Sequence, residues 1–152
     1  MQIKYFPVNS KNSYVIFQDN DKIEELEPFM KENKLSRIIF SGFLGYSKSV
    51  LPFNEDIDLI EEISIQCSDI TDLTSLYHLS NIKKISIEEN AVLAHPFDIR
   101  KIAKLTDFFT DDTLKIDGFF DHPTLKQLHI EPKKTKKLDI HNENNILESL
   151  SI

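Results

Sequence analysis

The stretch from Ile60 to Asn90 runs through one pattern twice. Ile60, Ile63, Ile65, Ser68 and Ile70 are followed, 22 residues on, by Ile82, Ile85, Ile87, Asn90 and Val92. The shared frame is apolar-x-x-apolar-x-apolar-x-x-(Asn/Ser)-x-apolar. Its alternating centre reads as a short strand whose apolar side chains turn inward while the residues between them turn outward. A unit this small cannot bury its apolar side alone, so copies of it must stack. The Asn position has a physical job, because its side chain can satisfy backbone groups where the strand bends away. Asn90 fits that role, and Ser68 is a shorter substitute. After Ile70, the residues Leu73, Leu76 and Leu79 recur every third position. This spacing suits a short helix or 3₁₀ segment returning on the far side.

The chain before the repeat is different. Ser13–Phe17 has the β-branched and aromatic content of a strand. Asp19 to Asp21 can cap a helix expected from Lys22 to about Asn33, on which Ile23, Leu26, Phe29 and Met30 form one apolar stripe. Leu35, Ile38 and Phe40 repeat the spacing of Ile60, Ile63 and Ile65. A strand after a helix is the expected start of a parallel array. Residues 42–54, with two glycines and a proline, read as a loop.

Beyond Asn90 the pattern loosens. Residues 98–109 read as a helix on the outer side. Alternating pairs then continue at Leu114/Ile116, Leu128/Ile130, Leu138/Ile140 and Leu150/Ile152. The step from Leu125, Leu128 and Ile130 to Leu147, Leu150 and Ile152 restores the 22-residue spacing. A continued parallel array with tight turns is expected in preference to a hairpin at Glu131–Lys137.

The segment from Ile60 to Val92 resembles the leucine-rich repeat family, in its 22-residue bacterial form. The likeness is partial from Leu35 to Phe40 and degenerate after Asn90. It implies an α/β fold, a small solenoid with a parallel sheet and an N-terminal strand-helix-strand cap. A single domain is expected over residues 1–152, with a non-repeating cap region and loop at 1–54 and repeats at 55–152. The concave sheet face is the binding surface such an array implies.

Composition narrows the function. The formal net charge of −7 disfavours nucleic acid and anionic lipid as partners and favours a basic protein. Met1–Val8 lacks the long apolar run of a secretory signal, and no run is long enough to cross a membrane. Cys67 is the only cysteine, so no internal disulfide can form. A cytoplasmic protein is expected. With three glycines and no Gly-rich phosphate motif, nucleotide binding is not expected.

The chemistry-bearing residues point the same way. His78, His95, His122, His129 and His141 lack metal-ligand spacing, although His129 and His141 fall at outward positions of strands expected to be neighbours. Cys67 has no sequence-adjacent base to activate it and reads as structural. Lys133, Lys134, Lys136 and Lys137 form a basic cluster without interleaved aromatics, which suits a solvated loop better than an RNA site. In the repeat frame, one outward column holds Gln66, Glu88, Asp117, Glu131 and His141. The column before it holds Ser64, Ser86, Lys115, His129, Asp139 and Ser151. Glu62 and Lys84 open their strands on the same face. Stacked strands stand about 4.8 Å apart, so Glu88, Asp117 and Glu131 are expected to form an acidic stripe.

The partner-binding residues are therefore expected to be Glu62, Gln66, Lys84, Glu88, Lys115, Asp117, His129, Glu131, Asp139 and His141, with no catalytic residue, metal or cofactor. The leading expectation is a non-enzymatic protein-binding module, in its sharpest form an immunity protein that occludes a basic bacterial toxin of the nuclease class. That form is an analogy of size, charge and fold. The alternative is a scaffolding repeat that self-associates through its C-terminal edge strand. A hydrolase using paired carboxylates would need a closed pocket, which open arrays of this kind rarely make.

Overall fold

The structure, a computed structural model, describes residues 1–5, 13–66, 69–88, 93–111, 115–131 and 148–151. The strands are β1 (Gln2–Tyr5), β2 (Ser13–Phe17), β3 (Arg37–Ser41), β4 (Glu62–Gln66), β5 (Lys84–Glu88), β6 (Phe97–Asp98), β7 (Asp107–Asp111), β8 (Ile116–Asp117), β9 (Gln127–Glu131) and β10 (Ser149–Ser151). Among the described residues, eight of them form one sheet in the order β1-β2-β3-β4-β5-β7-β9-β10. β1 runs antiparallel to β2, a partner the sequence reading did not anticipate. The pairings that follow are all parallel. β6 and β8 pair separately, also in parallel. The chain is thus α/β with a mostly parallel sheet.

Register explains the repeat. Ile63 stands opposite Ile85 and Ile65 opposite Ile87, so the 22-residue offset in sequence is one strand in space. The same inward row continues through Ile38, Phe108 and Leu128. The steps between partners vary: 25 residues from Ile38 to Ile63, 23 from Ile85 to Phe108, 20 from Phe108 to Leu128 and 22 from Leu128 to Leu150. The inward row and the residues three before it (Ile60, Ile82, Leu105 and Leu125) are buried in one continuous core. Behind them lie Leu73, Leu76 and Leu79, then Ile99 and Ile102. Full burial of each such side chain contributes roughly 1.5–3 kcal/mol.

One backbone device recurs at the start of the strands. The Ser36 carbonyl accepts from both Glu61 N and Glu62 N. The Glu61 carbonyl does the same for Lys83 and Lys84, and Lys83 for Thr106 and Asp107. Thr106 then serves Lys126 and Gln127, and Lys126 serves Glu148 and Ser149. Each forked acceptor pins two consecutive amides, so the strand that follows starts at a fixed height whatever the length of the connection before it.

Several expectations need correction. Residues 98–109 are not a helix. Phe97–Asp98 is β6, Ile99–Lys101 is a single 3₁₀ turn, and Asp107–Asp111 is β7. Ile99, Ile102 and Leu105 recur every third residue, the spacing of Leu73, Leu76 and Leu79, whose segment is also 3₁₀ at Thr74–His78. Over so short a run a period of three passes for a helical one. As a result the strand of the main sheet carries Phe108 and Thr110, not Ile116. Ile116 lies on β8, opposite Phe97.

The expected helix is also shorter. A 3₁₀ turn at Ile23–Glu25 precedes α1 (Leu26–Asn33), and no side chain caps either. Asp19 instead accepts from Ser47 N and Oγ, and Asp21 accepts from Gln18 N. The stripe itself forms, with Leu26 and Met30 buried and Ile23 and Phe29 packed against the core. The segment from Gly42 to Asn54 contains a 3₁₀ turn at Gly42–Leu44 and contributes Tyr46, Leu51 and Phe53 to the core. Phe40 packs edge-on against both Tyr46 and Phe53. The expectations for Cys67, Ser68, Asn90, the lysine cluster at 133–137 and the Leu138/Ile140 pair lie outside the described residues.

Candidate functional site on the outer face of the sheet

The face opposite the core carries three rows of side chains that run across the strands. The first row is Arg37, Glu62, Lys84, Asp107 and Gln127. The second is Ile39, Ser64, Ser86, Phe109 and His129. The third is Ser41, Gln66 and Glu88, then Asp111 and Glu131, which continue the register one residue beyond Ile87 and Thr110.

In the first row charges alternate, and Glu62 is its hub. The residue is buried at 7% exposure. Its Oε2 lies 2.9 Å from Arg37 Nε, and its Oε1 lies 3.4 Å from Lys84 Nζ and accepts from the Tyr14 hydroxyl. The Arg37 guanidinium also sits over the Tyr14 ring, 5.7 Å from its centroid. Burial, and then the adjoining Glu62 carboxylate, raise the Tyr14 phenol well above its ordinary range. A buried carboxylate is tolerable when its lone pairs are filled by cations and a hydroxyl. Glu62 is therefore neutralised within the fold by Arg37, Lys84 and Tyr14.

The second row forms a notch. Ser64 and Ser86 are small, and they lie between Ile39 on one side and Phe109 on the other. Phe109 stacks on His129 with ring centroids 4.5 Å apart and planes inclined by 13°. The resulting groove has a volume of about 500 Å³ and is also lined by Tyr14, Arg37, Glu62, Lys84, Gln66 and Glu88.

The third row is acidic. Glu88 Oε1 accepts from Ser86 Oγ at 2.9 Å, and Oε2 from Gln66 Nε2 at 3.5 Å. Asp111 is buried and Glu131 is exposed. The acidic row thus holds Glu88, Asp111 and Glu131. Asp111 was missed because its strand was read as helix; its signal was the alternation in Asp-Phe-Phe-Thr-Asp.

Of the expected residues, Glu62, Gln66, Lys84, Glu88, His129 and Glu131 do share this face. Lys115 and Asp117 do not. Asp117 belongs to β8 in the separate two-stranded sheet, and the Lys115 carbonyl accepts from Phe97 N beside it. The residues flanking His129 across the sheet are Phe109 and Ser151, since β9 lies between β7 and β10. Asp139 and His141 lie outside the described residues.

A second cluster lies away from this face. Arg100 donates from Nε and Nη2 to the two carboxylate oxygens of Asp98, at 2.8 and 2.9 Å, and from Nη1 to Asp121 at 2.8 Å. Asp98 is held below the usual carboxylate range, chiefly by Arg100. His122 occupies the position held by Leu79 and Ile102 in earlier units and is buried at 2% exposure. Its Nε2 lies 3.0 and 3.2 Å from the carbonyls of Ile99 and Ile102, and its Nδ1 accepts from Thr124 N at 3.2 Å. Those partners assign the neutral ring with the proton on Nε2. Burial lowers its proton affinity.

Among the described residues, no group of three or more His, Cys, Asp or Glu side chains is placed to hold a metal ion. Nor is any helix there long and apolar enough to cross a membrane. Comparisons with protein-family models, with curated proteins and with solved structures give no match.

Proposed function

We propose that the chain is a leucine-rich-repeat-like coil, capped by β2, α1 and β3, that acts as a non-enzymatic protein-binding module for a basic protein. The observation that carries this reading is the division of charge on the outer face. Glu62 of the first row is consumed by Arg37 and Lys84. The third row sets Glu88, Asp111 and Glu131 on three successive strands. Among the described residues no cation forms an ion pair with Glu88 or Glu131. Neighbouring strands stand about 4.8 Å apart, so Glu88 and Glu131, two strands apart in the sheet, stand roughly 10 Å from each other on one acidic edge.

The sharper form is an immunity protein in the bacterial cytoplasm that neutralises a basic toxin of the nuclease class by occlusion. Its carboxylates would stand where the toxin's lysines and arginines otherwise hold phosphates. Opposite charge accelerates encounter, and truncating one member of a buried pair costs on the order of 2–5 kcal/mol. The test is co-expression with the product of the neighbouring gene. A stoichiometric complex that restores growth supports the proposal. Retention of that complex by a Glu88→Lys, Glu131→Lys double variant refutes the face assignment.

One observation favours a second reading. Among the described residues β10 has a strand neighbour on one side alone, and an unpaired edge is a template for pairing. A scaffolding protein that self-associates through β10 predicts a dimer by light scattering, lost on replacing Ser149 or Ser151 by proline.

A further inference from the structure

Resting on the docking role proposed above, we infer that the notch over Ser64 and Ser86 seats an arginine side chain of the protein partner, with Glu88 as its counter-ion and Phe109 as its stacking wall.

The floor of the notch is set by two serines in register on β4 and β5. Larger side chains bound it along the same row, Ile39 on β3 and Phe109 on β7. One face of Phe109 is taken by His129, so the ring is held as a rigid plane against the groove. Glu88 is fixed by Ser86 Oγ and Gln66 Nε2. A carboxylate offers about four lone-pair positions, and these two donors leave one on each oxygen. Two acceptor positions on one carboxylate match the parallel N–H pair of a guanidinium.

The groove is also polarised. Lys84 lies four residues before Glu88 on the same strand. At a strand rise of about 3.3 Å per residue their backbones are roughly 13 Å apart, beyond a physiological screening length of about 8 Å. Lys84 and Arg37 are further offset by Glu62. A cation entering near Glu88 therefore meets the acidic row and little repulsion. Arginine fits better than lysine because its planar head can lie flat on Phe109 while presenting a parallel pair of N–H groups to Glu88, whereas an ammonium is a point charge without that planar fork.

The test uses N-acetyl-arginine amide and N-acetyl-lysine amide, titrated into the ¹⁵N-labelled chain. The arginine probe should move the amide signals of Ser64, Ser86 and Glu88 along a saturating curve, with the lysine probe at least about fivefold weaker. Glu88→Gln should weaken the arginine probe by about tenfold, and Phe109→Ala should reduce the preference over lysine. Glu32→Gln, on the exposed side of α1, should leave both curves unchanged. Equal response to the two probes, or an arginine response that survives Glu88→Gln, overturns the seat. If the seat fails but charge reversal at Glu88 and Glu131 still dissociates a basic partner, the docking role stands without it. If the seat binds arginine and no basic protein binds the face, the docking role fails instead.

Discussion

Arg37 Nε lies 2.9 Å from Glu62 Oε2 across β3 and β4, and this contact divides the acidic residues of the outer face into two kinds. Glu62 is buried and neutralised. Glu88 and Glu131 are held by strand register and face outward without an ion-pair partner among the described residues. The same side-chain chemistry is thus neutralised in one row and stands without an ion-pair partner in another.

Glu62→Gln should destabilise the fold. The variant removes the charge that Arg37, Lys84 and Tyr14 converge on, a loss of about 2–3 kcal/mol. Tyr14→Phe should cost about 1.5–3 kcal/mol, the value of one hydrogen bond to a charged group. Urea unfolding midpoints at constant m-value measure both. A Glu62→Gln change below about 0.5 kcal/mol, the range of a solvated surface site, would show that the network contributes nothing.

Glu88→Lys should behave in the opposite way. Its stability should stay within about 0.5 kcal/mol of the parent, as for other surface sites. On the proposed docking role, association with a basic protein partner should slow, with a weaker dependence on salt, since opposite charge steers encounter. Stopped-flow association at two ionic strengths checks this. Identical association rates for parent and variant would remove Glu88 from the interface.

His122 should make stability fall in mild acid. Its proton affinity in the folded chain lies below that of the unfolded side chain, for which the ordinary value is about 6.5. The unfolded state therefore binds more protons as pH drops, so stability present above that value is lost as pH falls through it. Protonation also turns Nδ1 into a donor facing Thr124 N–H. His122→Leu, the residue type found at the matching Leu79, should flatten the difference in stability between pH 7 and pH 5, as measured by urea titration at each pH. A variant with the parent's pH dependence would assign it to other groups.

Gly118→Ala should cost about 1–2 kcal/mol from backbone geometry alone, since φ is +90°. A Cβ there would also stand 2.7 Å from Arg100 Cγ. Removing that side chain with Arg100→Ala should lower the additional cost and leave the backbone cost. Gly42→Ala, at a glycine outside the left-handed region, serves as the control. Thermal melts of the two single variants and the double variant separate these contributions.

The parts of this fold legible in sequence are those where one physical demand dominates. Ile60, Ile63, Ile65 and their partners at Ile82, Ile85 and Ile87 all need complete burial, so the pattern is purely apolar and its period is plain. At β7 the inward positions are Phe108 and Thr110, and the outward ones Asp107, Phe109 and Asp111. An aromatic turned outward and a threonine turned inward blur the alternation, and three preceding apolar residues imitate a helix face. That single misreading displaced the acidic row from Asp111 to Asp117. The acids at Asp19 and Asp21 were misread for a different reason. A carboxylate before a helix looks like a cap, but here Ser47 and Gln18 supply closer donors. The neutralisation of Glu62 depends on Tyr14, Arg37 and Lys84 converging from three other strands, which no local pattern records.

The forked carbonyls of Ser36, Glu61, Lys83, Thr106 and Lys126 have a consequence for how such a chain can change over generations. Each strand is positioned by the strand before it rather than by the length of chain between them, as the connections of unequal length already demonstrate. A gene encoding this fold can therefore gain or lose a few codons in a connection while the outer rows stay aligned. Outer-row residues such as Glu88 and Phe109 can then diversify on a surface whose geometry is inherited unchanged. A protein in conflict with a changing partner would benefit from that separation.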